Sequence, residues 1–356
     1  MDSEKYMSVR ITTVAKALPP HSRATEDILP FLDTWLAGQD SRFQRKVSKI
    51  FENAAVDQRY SIMSPEEVFT QTTFEDKNLI YRREVVKLGE EVVTKALTQA
   101  KWKATDIDYF ITVSCTGMMI PSVDAFLINK LQMRQDVVRL PVTEMGCVAG
   151  VSGIIYAKNF LQSNPGKRAA VLAIEAPTAT FQLDDYSMAN IVSAAIFGDG
   201  AACVLLSSDE ADEGPEILDQ EMYHFYDSIE IMGFDLTNSG LQMVLDKSVP
   251  ETIAAHFSAI VEPFLAKNKL SPSDISHLIF HPGGKKIVET VEELFGQWGK
   301  NLDDTREVLR QFGNMSSATV LYVLERFMNR KPESGSYGLM LSFGPGFTAQ
   351  RVLLQW

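Results

Sequence analysis

Apolar residues along this chain recur as short continuous blocks that alternate with longer stretches of helical spacing. Blocks at 109–115, 169–174, 201–206, 277–280 and 337–342 are bounded by polar or glycine turns. Such blocks predict strands buried on both faces. Helical spacing predicts helices over 28–57, 82–102, 124–131, 147–161, 252–267 and 316–327. The first of these carries Phe31, Leu32, Trp35 and Leu36 on one side, and further on a basic set of Arg42, Arg45, Lys46 and Lys49. The helix beginning at Cys147 is stopped by Asn164-Pro165-Gly166. The most polar short stretch is 207–215, with Asp209, Glu210, Asp212 and Glu213, and it divides the chain into halves 1–207 and 208–356. Each half runs helix, strand, small-residue turn, helix, strand. The fold class is α/β with buried sheets and two similar halves. No tandem repeat or low-complexity tract interrupts it.

Composition narrows the class. At 356 residues, 45% hydrophobic and 22% charged, the chain is long enough for a substantial core. The formal charge of −12 argues against a nucleic acid or an anionic membrane as main partner. Cys115, Cys147 and Cys203 are too few and too dispersed for a disulfide framework or a zinc site, which fits a reducing cytoplasm. The first residues, Met1-Asp2-Ser3-Glu4-Lys5, carry no targeting pattern, and no run of about 18 apolar residues predicts a membrane span.

Three residues stand where chemistry is expected. Cys147, in Gly146-Cys147-Val148-Ala149-Gly150, sits where a small-residue loop becomes a helix, a position that favours a thiolate. Packed as a small hydrophobe it would be inert, the commonest fate of a buried cysteine. His281, before Pro282-Gly283-Gly284, emerges from a strand end into a sharp turn, where it is either a base or a satisfied turn residue. Asn314, in Gly313-Asn314-Met315-Ser316-Ser317, is an amide donor or a helix cap, and Ser316 competes for the cap. A thiol, an imidazole and an amide are together the parts for acyl transfer through a thioester.

Two further segments, Phe197-Gly198-Asp199-Gly200-Ala201-Ala202 and Phe343-Gly344-Pro345-Gly346, complete a set of five in register. The set resembles the type III polyketide synthases, the chalcone synthase-like branch of the thiolase superfamily, over nearly the whole chain. The resemblance implies the five-layered αβαβα thiolase fold and a homodimer in which residues near Met133 approach the partner's cavity. It implies that Cys147 is acylated by a starter acyl-CoA and carries the growing chain. His281 would hold the thiolate as an ion pair and, with Asn314, would bond the thioester carbonyl of malonyl-CoA while CO2 leaves. Phe197 would be the aromatic gatekeeper. Arg42, Arg45 and Lys49, at spacings of three and four on one helix face, would bind the CoA phosphates, although a solvated helix face reads equally well. Ile128, Met133, Thr180, Ser316 and Phe343 would line the cavity. No metal or organic cofactor is implied beyond the CoA thioesters themselves.

Two departures from the family pattern shape the substrate expectation. Met243 stands where a second gatekeeper aromatic is usual, and Ile128 stands at a position that is commonly threonine. Both make an adaptable apolar cavity, so an aliphatic or long-chain starter is expected, giving a pyrone or resorcinol. Ile120-Pro121-Ser122-Val123-Asp124 reads closer to bacterial alkylpyrone and alkylresorcinol synthases. Ser342 replaces the glycine that usually opens the last motif. The nearest rival is a beta-ketoacyl-ACP synthase III-like enzyme making a single condensation. A hydroxymethylglutaryl-CoA synthase, a papain-like hydrolase with the order Cys, His, Asn, and a non-catalytic relative are further from the motifs.

Overall fold

The computed structural model describes residues 7–70 and 72–356, so the segment read above for a targeting signal lies outside them. Among the described residues, nine strands form one sheet in the order Ile275–Phe280, Tyr337–Gly344, Thr348–Gln355, Glu216–His224, Arg10–Ala17, Gly200–Ser207, Arg168–Glu175, Tyr109–Val113, Val138–Val142. Four strands belong to one half and five to the other. They meet at a single paired position, Arg10 opposite Glu216. Two half-sheets result, and helices fill the space between them and cover their outer faces.

The alternation of side chains along buried strands builds these layers. On Arg168–Glu175, Ala170, Leu172 and Ile174 face the long outer helix Phe74–Ala100, whereas Ala169, Val171 and Ala173 face the inner helix Ala149–Gln162. On Tyr337–Gly344, Leu339 and Leu341 pack with the outer helix Val249–Lys267, while Met340 turns inward. Both faces are covered, so both sets are apolar. Each fully buried Leu or Ile contributes about 1.5–3 kcal/mol. Helices Ala149–Gln162 and Thr319–Arg330 form the middle layer, giving the αβαβα order.

Local chemistry sets several boundaries that spacing alone misplaces. The helix expected over 28–57 is two helices, Thr25–Trp35 and Ser41–Glu52, because the Asp40 side chain accepts from the amides of Arg42 and Phe43 and caps a new start. The long helix starts at Phe74, not near Arg82. There Thr73 and Asp76 form a reciprocal capping box. The final central helix begins at Thr319, after a tight turn Ser316–Ala318, and Ser316 supplies no side-chain cap. Among the described residues no helix is long and apolar enough to cross a membrane.

Candidate active site

Cys147 lies in the turn Gly146–Val148, which runs directly into the central helix Ala149–Gln162. Gly146 has φ +55°, and a Cβ there would stand 2.7 Å from the Pro345 ring, so only glycine lets the two loops close on each other. The Cys147 thiol donates to Ser316 Oγ at 3.6 Å, and the Cys147 carbonyl accepts from Ser342 Oγ at 2.9 Å. The serine in place of the usual glycine thus anchors the nucleophile loop. Part of the residue opens on a cavity, but protein surrounds the sulfur, and this burial pushes the thiol up to about 12. The resting group is a neutral thiol.

His281 follows the strand Ile275–Phe280, and its amide donates to the Leu341 carbonyl at 3.0 Å, extending the sheet by one bond. The residue is 3% exposed, and neither ring nitrogen has a hydrogen-bond partner. Burial pushes the imidazole down to about 3, so it is neutral at physiological pH. The ion pair expected with Cys147 is not formed in this resting arrangement. Both ring nitrogens are buried and unpartnered.

Asn314 is fixed from several sides. Its Oδ1 accepts from the Ser316 amide at 2.8 Å and from Thr319 Oγ1 at 3.3 Å, while Nδ2 donates one hydrogen to the Gly283 carbonyl at 3.1 Å. One Nδ2 hydrogen is left for a ligand. Its backbone forms a bridge with Phe197, in which Asn314 N donates to Ile196 O at 2.7 Å and Gly198 N donates to Asn314 O at 3.0 Å. Gly313 permits this approach: at φ +71°, a Cβ would lie 2.7 Å from the Ile196 carbonyl oxygen. The gatekeeper position and the amide are therefore one backbone unit.

Cys147, His281, Asn314, Phe197, Met243 and Phe343 line one cavity, with Ser316 on its wall. The hairpin Met232–Thr237 and Gly240–Leu245 covers it, with Met243 opposite Phe234. This narrow chamber, about 70 Å³, adjoins two others. The entrance, about 570 Å³, runs between Ile50, Asn53 and Ala54 on one wall and Lys285 and Lys286 on the other, and it meets the chamber at Ile196, Gly283 and Ile287. A second inner chamber of about 90 Å³ lies across Phe197 and Met243 and holds Thr180.

Several expectations need correction. Ile128 and Met133 do not line the cavity. Met133, 6% exposed, belongs to the core beneath the helix Phe74–Ala100, and Ile128 packs against the same cluster. The apolar residue of that segment that projects outward is Ile120, 92% exposed. The wall position is instead filled by Cys115 and Thr116, just beyond the strand Tyr109–Val113. Their visible signal was a thiol and a hydroxyl at the end of an apolar block. Thr180 lines the second chamber and not the catalytic one. Arg42, Arg45 and Lys49 are exposed on Ser41–Glu52, the helix whose Ile50 and following Asn53 and Ala54 line the entrance. Also unforeseen is buried Glu175, which accepts from Cys115 N at 3.0 Å, Thr116 Oγ1 at 2.8 Å and Ser317 Oγ at 2.6 Å. Burial raises its pKa against the pull of those bonds.

Comparison with known proteins matches this architecture. Residues 6–210 match the family model for the N-terminal domain of chalcone and stilbene synthases, and residues 222–356 match the model for the C-terminal domain. The chain is 35% identical to a 1,3,6,8-tetrahydroxynaphthalene synthase of Streptomyces peucetius subsp. caesius, covering 97% of this chain and 93% of that one. It is 29% identical to a phloroglucinol synthase of Pseudomonas fluorescens over 95% and 96% of the two chains. The crystal structure of 1,3,6,8-tetrahydroxynaphthalene synthase from Streptomyces coelicolor A3(2), described as a bacterial type III polyketide synthase, superposes with a TM-score of 0.91 at 28% identity over 98% and 99% of the chains. With matches across both halves and one relative above 30% identity at full length, the chain belongs to the chalcone and stilbene synthase family and is a type III polyketide synthase, a condensing acyltransferase that builds polyketides by iterative condensation with malonyl-CoA.

Proposed function

We propose that Cys147 carries the acyl chain and that His281 and Asn314 stabilise the enolate made from malonyl-CoA. The observation that supports this reading most is the convergence of the Cys147 thiol, the unpartnered His281 imidazole and one remaining amide hydrogen of Asn314 on a single narrow cavity behind a wide entrance. In loading, neutral His281 takes the thiol proton, the sulfur attacks the starter thioester, and CoA leaves as the thiol. His281 and Asn314 then donate to the thioester oxygen of malonyl-CoA, where negative charge develops as CO2 departs. The apolar face of Phe197 disfavours the carboxylate and so favours its loss. The resulting carbanion attacks the acyl group on Cys147, the C–S bond breaks to release the Cys147 thiolate, and the lengthened chain, now on CoA, is transferred back to that sulfur for the next round. Loss of CO2 drives the step, so the chemistry calls for no metal or organic cofactor.

Arg42, Arg45 and Lys49 suit the CoA phosphates because they stand exposed on the helix that forms one wall of the entrance. The starter is aliphatic, in keeping with Met243 in the roof, and short, in keeping with the narrow inner chambers. The relatives named above make small polyhydroxylated aromatic rings. A homodimer is favoured by the strand Val138–Val142, which ends the sheet, and by exposed Met118, Ile120 and Val138 around it. Three free cysteines suit a reducing cytoplasm. The test is CO2 release from malonyl-CoA by His281→Ala and Asn314→Ala: a fall of about 100-fold in each is expected, and unchanged release would remove both from the enolate step.

A further inference from the structure

The second chamber adjoins the cavity of Cys147, and Pro177, Phe197 and Met243 line both. Its wall is largely apolar, with Phe51, Phe69 and Phe181. Polar side chains interrupt it, among them Arg23, Ser61, Thr178 and Asn190, and two others are buried with an unpartnered atom. Arg59, 6% exposed, directs Nη1 to the Ala194 carbonyl at 2.9 Å and Nη2 to Thr25 Oγ1 at 2.8 Å, both neutral acceptors, and its Nε has no partner. Ser193, 7% exposed, likewise has an Oγ without a partner. Burial lowers the guanidinium to about 10, which leaves it charged at neutral pH. A buried cation held only by neutral groups is stabilised by an anionic ligand.

We infer that this chamber receives the far end of the acyl chain and that Arg59 and Ser193 bind a carboxylate there, so the starter class is an ω-carboxyacyl-CoA. The apolar wall takes the methylene chain, and the Arg59 guanidinium and the Ser193 hydroxyl, both on residues that line the chamber, take the oxygens. This specifies the starter end of the reading above and rests on Cys147 as the loading site.

The experiment pairs starters of matched length: succinyl-, glutaryl- and adipyl-CoA against butyryl-, valeryl- and hexanoyl-CoA, each with malonyl-CoA. At the best length the wild type is expected to favour the carboxylated member by about tenfold or more in kcat/KM, the size of a charge-assisted hydrogen bond. Arg59→Met is expected to remove that preference while leaving the alkanoyl starters within about twofold, and Arg59→Lys to restore part of it. Ser193→Ala is expected to lower the preference by about two- to fivefold. Equal use or preference for the alkanoyl starters by the wild type overturns the inference, as does a uniform fall for all starters in both Arg59→Met and Ser193→Ala. Should Arg59→Met fail to fold, the wild-type ratio and Ser193→Ala still decide. Calorimetry of glutaryl-CoA against valeryl-CoA on Cys147→Ala needs no turnover: tighter glutaryl binding supports the chamber even if the catalytic assignment fails, and equal binding sinks it.

Discussion

Two cysteines in this molecule share a neighbour but not an environment. The thiols of Cys115 and Cys147 lie 3.5 and 3.6 Å from the same Ser316 Oγ, both line the cavity, and burial raises both. Cys115 follows the strand Tyr109–Val113, and its sulfur also donates to Glu175 Oε1 at 3.6 Å, so a second thiolate there would face a carboxylate. Burial and then Glu175 hold it well above the ordinary thiol range. Cys147 opens a central helix and shares its cavity with the neutral, unpartnered imidazole of His281. A thiol in a reactive cavity becomes a nucleophile only where something can take its proton and tolerate its charge.

The largest expected effect separates the two directly. Cys147→Ala should lower product formation by at least about a thousandfold, whereas Cys115→Ala should stay within about tenfold of the wild type. Comparable losses in product assays would break the contrast. Glu175→Gln should narrow it: the carboxylate raises both thiols, Cys115 more directly, so its removal should quicken alkylation of Cys115 by iodoacetamide at mild alkaline pH by several-fold or more. Peptide mapping reads the site, and an unchanged rate would deny Glu175 its part. The imidazole side of the contrast is visible in stability. The folded His281 pKa of about 3 lies below the ordinary 6.5. Between those values the unfolded chain binds a proton that the folded chain does not, so its neutral burial costs nothing above 6.5 and destabilises progressively as pH falls. The wild type should therefore lose stability relative to His281→Gln by up to about 1.4 kcal/mol per pH unit on acidification below 6.5. Chemical denaturation across that range checks the sign. The smallest effect is at the loop anchor: Ser342→Gly removes the bond to the Cys147 carbonyl and should cost about 1 kcal/mol with little change in rate.

What the sequence made legible follows the same physical division. The Cys147, His281 and Asn314 segments are marked by glycines such as Gly146 and Gly313, which two chain segments need in order to touch, and such positions can be read without a structure. Fully buried strands were equally clear because both faces are apolar. The hairpin Met232–Leu245 left no such mark, since its side chains are mostly half-buried and no clean alternation results. Ile128 and Met133 were misplaced because an apolar residue in or just after a helix looks the same whether it meets a cavity or a core. Arg59, Ser193 and Glu175 were missed for a related reason: what distinguishes them is which partners they bond or lack, and spacing does not carry that. The helix over 28–57 is overextended because apolar spacing carries no sign that Asp40 caps the start of a second helix.

The most direct measurement is mass spectrometry with peptide mapping after brief incubation of the wild type with acyl-CoA starters and malonyl-CoA. An acyl or polyketide adduct on Cys147, with Cys115 and Cys203 unmodified and no adduct in Cys147→Ala, is the predicted result. An adduct carried by Cys115, or product formation that persists without Cys147, would contradict the account.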